Sequence, residues 1–298
     1  MAPRGAAALT DAGKGGGGER PRLWPVWLSC VAAFVAIVAF SLLAVAIVRA
    51  FYPDLPERAA LEGLPGLLAG SIASSAAFAL TALIASGSAT AAALRLVPGR
   101  ESGRTLVLAV VGMLALGQTL DSLTVLAGLA QQGNMVMIRQ ALAQAVGPDL
   151  FLAVLIVGVL AGTAEEIFFR GYMQTRLVQR LPRGAAVFVT SLFFGVFHMD
   201  PLHGLLALIL GLYLGWITEL TGSALPAVVC HVVNNALFTL LTAAWGAVDG
   251  FEINLALGAA GAVVFAGTVL CLRTAPAAPA ESAWLTSVAL RVWKRLRR

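Results

Sequence analysis

The sequence predicts an all-α fold, a polytopic integral membrane bundle of about eight transmembrane helices, and three observations carry that expectation. The 298 residues are 59% hydrophobic and 12% charged, with a mean hydropathy of +0.88, far from the balance of a soluble domain. Apolar runs long enough to cross a hydrocarbon core of roughly 30 Å, about 20 helical residues each, recur along nearly the whole chain. The runs are continuous and do not alternate every second residue, so helices that satisfy their own backbone hydrogen bonds are expected and a barrel is not.

In chain order the runs cover residues 24–48, 64–94, 105–128, 149–172, 184–200, 203–220, 223–245 and 252–272. The second is overlong, and the fifth and sixth are tight. Residues 1–23, with "GKGGGG", read as a disordered cytoplasmic lead. That stretch lacks the spacing of a phosphate loop, and the apolar run after it is too long for a signal-peptide core, so it is expected to remain as an anchor. Residues 24–272 form the transmembrane bundle. Residues 273–298 form a basic tail in which Trp284, Leu285, Val288, Val292, Trp293 and Leu296 share one helical face, suited to lie on an anionic leaflet or simply to anchor the inner end. Gly66 with Gly70 and Gly211 with Gly215 each make the small-residue spacing that allows helices to approach closely.

Lys and Arg set the orientation. With eight crossings and both termini cytoplasmic, sixteen basic residues fall on inner segments and only Arg49, Arg58 and Arg139 on outer ones. The net charge of +5 is therefore a topology signal. No basic soluble domain is present to hold a nucleic acid. Cys30, Cys230 and Cys271 lie within apolar runs and read as small packing residues, with no disulfide or metal role.

An ionised side chain at the bilayer centre costs at least about 2.5–3.5 kcal/mol, so polar residues within the runs are functional candidates. They are Asp121, Glu165, Glu166, Arg170, His198, Asp200, His203, Glu219, His231, Asn234 and Asn235. Glu166 and Arg170 are four apart with the acid first, the favourable order for an ion pair. Glu165 points about 100° away and stays unpaired, a carboxylate suited to general-base work. His231 and Asn235 are also four apart, on one helix face. At about 1.5 Å per residue, Glu165 stands roughly 22 Å from Arg180, His198 roughly 22 Å from Arg183, and His231 roughly 15 Å from the turn near Thr221, so the fourth, fifth and seventh runs can form one site. Plainer roles are expected elsewhere: His203 as a satisfied core group, Asp200 at the outer interface, Glu219 at the inner one, and Asp121 capping a polar contact between helices.

"EEIFFR" (Glu165 to Arg170), "FGVFH" (Phe194 to His198) and "HVVNN" (His231 to Asn235) resemble the EExxxR, FxxxH and HxxxN motifs of the CPBP intramembrane proteases. That family includes type II CAAX prenyl endopeptidases and bacteriocin-processing and immunity-related Abi proteins. The resemblance covers about residues 150–240. It implies hydrolysis of a peptide bond in a membrane-associated protein or peptide, with the lipid bilayer as the setting and Glu165, Glu166, Arg170, His198, His231 and Asn235 carrying the site. Chemistry then suggests roles: Glu165, helped by His198, deprotonates a water; His231 and Asn235 donate to the developing oxyanion; Glu166 and Arg170 orient the helix.

No cofactor is required on that reading. In a metal-assisted alternative His198, His231 and Glu165 bind zinc with a water in the fourth position, although the chain lacks HExxH. Outside enzymology, the alternatives are a non-catalytic membrane scaffold or bacteriocin-immunity-type binding protein, and a proton-coupled transporter, for which no internal repeat is found.

Overall fold

In the computed structural model, which describes residues 22–87 and 90–274, the chain is a helical bundle with no strand among the described residues. The elements are α1 (Trp24–Phe51), α2 (Glu57–Glu62), α3 (Leu64–Ser86), α4 (Gly103–Leu126), α5 (Asn134–Leu142), α6 (Gly147–Leu177), α7 (Arg183–Val196), α8 (Pro201–Thr221), α9 (Leu225–Trp245) and α10 (Phe251–Thr274). Seven of these, α1, α3, α4, α6, α8, α9 and α10, are long and apolar enough to cross a membrane, so the protein is a multi-pass membrane protein. The lead expected over residues 1–23 (all but its last two residues) and the amphipathic tail expected beyond Thr274 lie outside the described residues.

Two expected crossings are corrected. The run 64–94 does not continue as helix past Ser86, because Gly87 takes a left-handed φ of 66° and its N–H returns to the carbonyl of Ile84, a common helix stop. The run 184–200 yields only the 14 residues of α7, about 21 Å of helix, short of a full hydrocarbon core. The cause is local. After His198, Met199 adopts a φ of +52°, and the side chain of Asp200 caps α8 by accepting the N–H of His203 at 2.7 Å, with Pro201 at the first helical position. This arrangement turns the chain back on itself.

α7 and α8 form an antiparallel hairpin. Gly195 lies against Gly204, Gly211 against Ser191 and Phe194, and Gly215 against Val187. Of the two GxxxG pairs, the one at Gly211 and Gly215 is thus a helix interface. At the other, Gly66 lies against the backbone of Leu61 in α2, whereas a Cβ added at Gly70 meets nothing within 4 Å. α4 and α10 are likewise antiparallel, with Gly112 at Thr268, Gly261 at Thr119 and Gly258 at Ser122.

One aromatic core fastens α3, α6 and α7 together. Phe168 and Phe169, both fully buried, meet Phe78 of α3 at ring distances of 5.3 and 5.2 Å. Phe169 meets Phe194 of α7 at 5.1 Å and Phe197 at 5.7 Å. The phenylalanines of "EEIFFR" and "FGVFH" therefore act in packing, and they fix the relative height of Glu165 and His198. Cys30 and Cys230 are buried, whereas Cys271 faces outward.

At one end of the bundle Arg95 and Arg183 gather around Glu219, at 2.6 and 3.6 Å, and Arg100 donates to the last carbonyls of α8. At the other end Arg139 of α5 pairs with Asp121, and Asp200 also accepts the N–H of Asn134 at 3.1 Å. Asp121 and Asp200 thus tie α5 down. The hydrogen bond from the His203 N–H holds the Asp200 carboxyl below the usual carboxylate range.

Two predictions follow from this packing. Val at position 215 must displace Val187 and Gln174, so Gly215→Val lowers stability by about 1–3 kcal/mol, whereas Gly70→Ala leaves it equal or raises it; thermal unfolding in detergent checks both. Asp200→Ala removes a cap worth about 0.5–2 kcal/mol. Because the folded carboxyl is depressed, that contribution is present at neutral pH and fades as pH falls through its folded value, so the wild-type and Asp200→Ala melting temperatures converge in acid.

Candidate active site

The site is built on α6, which is not a uniform α-helix. Val154–Ala161 and Ile167–Gln174 wind as π-helix on either side of Gly162–Glu166, a form that recurs at functional sites. Within the second π-helical stretch Arg170 and Gln174, four residues apart, follow Glu166 on one stripe. That stripe faces the hairpin. Arg170 Nη2 donates to the carbonyl of Gly211 and Gln174 Nε2 to that of Gly215, each at 3.0 Å, and Gln174 also reaches Glu219. The missing side chains at 211 and 215 are what allow this approach.

Glu166 and Arg170 pair at 2.6 Å and are both 0% exposed. Their helix placed Glu166 where its Oε1 accepts a second bond, from Nδ1 of His231 on α9, at 2.8 Å. The Arg170 guanidinium lies over the Phe194 ring at 4.6 Å, and that ring also packs edge-on against His198 and His231. One aromatic residue thus touches both histidines and the buried cation. Glu166 Oε2 and Arg170 Nε are buried without a protein partner.

Glu165, one residue earlier, faces a different way. Its carboxylate is 16% exposed, and Oε2 stands 3.8 Å from Nε2 of His231, too far for a direct hydrogen bond. His198 Nδ1 is 2.7 Å from the carbonyl of Phe194. A carbonyl only accepts, so Nδ1 carries the proton and neutral His198 presents an unprotonated Nε2. His231 Nδ1 likewise donates to an acceptor, the Glu166 carboxylate. Asn235 receives the amide N–H of Asn234 at 3.3 Å, and its own Nδ2 is 3.5 Å from the carbonyl of Val157.

These groups share a cavity of about 370 Å³, within the range of small-molecule sites. Glu165, His198, His231, Asn234 and Asn235 line it together with apolar side chains of α4, α8 and α9. Glu166 and Arg170 stand behind this wall. The three helices named from sequence spacing therefore do converge. His203 is also on the cavity wall, its ring 4.4 Å from that of His198. Glu219 lies among arginines at the end of α8, with its side chain 10% exposed.

Gln174, Phe194 and the carbonyls of Gly211 and Gly215 escape a search for ionisable groups. The available signal was the match of spacing: 166, 170 and 174 on one helix against 211, 215 and 219 on another.

The metal-assisted arrangement would use Nε2 of His198, Nε2 of His231 and the Glu165 carboxylate. Both histidines donate Nδ1–H to an oxygen behind them, as metal ligands commonly do. Among the described residues, however, no group of three His, Cys, Asp or Glu side chains comes together as one that could hold a metal ion.

Breaking the buried pair from one side strands a charge. Arg170→Met is expected to cost about 3–5 kcal/mol, and the double variant Glu166→Gln with Arg170→Met to regain part of that loss. Thermal unfolding of the purified variants measures both.

No curated protein and no solved structure matches the chain. Residues 147–237 match the family model described as Type II CAAX prenyl endopeptidase Rce1-like. The match begins at the first residue of α6, ends within α9, and contains all three motifs. This stretch is therefore similar to the type II CAAX prenyl endopeptidases, Rce1-like, the protease family that the motifs resemble.

Proposed function

We propose that the protein is an intramembrane endopeptidase that hydrolyses a peptide bond of a membrane-associated protein or peptide with a water activated by Glu165. The observation that carries the reading is the cavity on which Glu165, His198, His231 and Asn235 meet, inside a stretch that matches a protease family.

The chemistry follows from the protonation pattern. His198, with Nδ1–H given to Phe194, accepts a hydrogen bond from the water at Nε2 and orients it. Glu165 takes a proton from that water, and the oxygen bonds to the scissile carbonyl carbon. The negative charge that forms on the carbonyl oxygen is met by the Asn235 amide and by His231. His231 gives its Nδ1–H to Glu166, so it can donate through Nε2 only as the imidazolium. Collapse of the tetrahedral intermediate breaks the C–N bond, and the proton held on Glu165 passes to the leaving amine.

Glu166 and Arg170 act behind the cavity, holding His231 in register. Both ends of the bundle chain are proposed to be cytoplasmic, with the short α7, antiparallel along α8, as the eighth crossing; the positive-inside bias is supported by the gathering of Arg95, Arg100 and Arg183 at one end.

The test is cleavage of membrane peptides in reconstituted protein. Glu165→Gln and His198→Ala are expected to lower kcat by about 10²–10⁴-fold with unchanged melting temperature, and full activity in either sinks the assignment. Activity that survives exhaustive chelation supports the glutamate mechanism, and loss restored by zinc supports the metal-assisted one. A protein whose Glu165→Gln variant keeps its cellular phenotype acts as a binding scaffold instead.

A further inference from the structure

Glu165 and His198 do not sit at the blind end of one cavity. A second cavity of about 250 Å³ also reaches them, walled by Ile37 and Ser41 of α1, Gly70, Ser74 and Phe78 of α3, Phe169 of α6, and the turn at Phe197 and Met199. Glu165, His198 and Ser74 line both cavities, so these side chains form the partition between them.

The two cavities differ in which site groups they touch. His231 and Asn235, the groups placed to meet a carbonyl oxygen, line the first and not the second. Among the described residues, the ionisable groups on the second are Glu165 and His198, the pair placed to hold water. Its volume has room for several molecules at about 30 Å³ each. The hydroxyls of Ser41 and Ser74 interrupt an otherwise apolar wall. A Cβ at Gly70 meets nothing within 4 Å, so the absent side chain there is part of the open space. Met199, held at its left-handed φ, is 61% exposed at the rim.

We infer that this second cavity is a hydrated vestibule that delivers the hydrolytic water to Glu165 and His198 while a peptide fills the first cavity. The inference rests on the protease reading for its purpose. The presence of water does not depend on that reading, and the two are tested separately.

Hydration is read by thiol chemistry, because a charged methanethiosulfonate reagent attacks only a hydrated thiolate. In full-length protein with Cys30, Cys230 and Cys271 replaced by Ala and reconstituted in vesicles, Ser41→Cys is labelled. Leu42→Cys, the neighbouring residue at 68% exposure on the outer face of α1, is not. Adding Gly70→Leu abolishes labelling at position 41. Failure of Ser41→Cys to react overturns the vestibule whether or not any substrate is cleaved, and means that lipid or packed protein occupies the space.

Delivery is read by kinetics on any cleaved peptide. Gly70→Leu, and independently Ser41→Leu from the opposite wall, lower kcat by about tenfold or more while KM stays within about twofold. Unchanged kcat in both filled variants overturns the water route. A rise in KM with unchanged kcat overturns it too, and assigns the cavity to the substrate chain.

Discussion

The ion pair between Glu166 and Arg170 is sealed from water on every side, and the arrangement of α6, α8 and α9 depends on it. An isolated charge in such surroundings would be prohibitive, and even a pair repays its desolvation only when its remaining hydrogen bonds are made. Here two such bonds reach other helices, while Glu166 Oε2 and Arg170 Nε find no protein partner: the pair lies on α6, Arg170 also donates to the Gly211 carbonyl on α8, and Glu166 accepts from His231 on α9. Each helix is thereby held in register to within a hydrogen bond's tolerance. Specific geometry, more than net stability, is what such a network offers in a low-dielectric interior.

The small residues of α8 make the network possible. A side chain at 211 or 215 would block the approach of Arg170 or Gln174 to the backbone and would separate α7 from α8. The same two positions therefore serve two neighbours, one through hydrogen bonds and one through close packing. The phenylalanine cluster adds the complementary constraint. It is apolar and non-directional, but its interlocked rings leave α7 only one height against α6, which carries His198 to the level of Glu165.

Adjacent glutamates thus have opposite environments. Glu166 faces the hairpin and is consumed by structure. Glu165, about 100° around the helix, faces open space on two sides. A single-residue step separates a positioning group from a group free to do chemistry.

By itself the sequence determined the membrane bundle, its helical class, and the separation of polar residues into a short set on three runs, because the cost of charge in hydrocarbon leaves few other places for them. The spacing of Glu166 and Arg170 also made their pairing legible, since four residues bring two side chains together on any single helix. Contacts between helices were decided only in the tertiary structure. Nothing local in "HVVNN" says that His231 reaches Glu166, nor in "GLYLG" that two carbonyls receive a guanidinium and an amide. The shortening of α7 was hidden for a related reason: hydropathy runs on through Phe197, while the turn depends on the backbone of Met199 and the cap of Asp200. The division of the space around Glu165 into two cavities arises from the packing of α1 and α3, which share no motif with the site and meet it only in three dimensions.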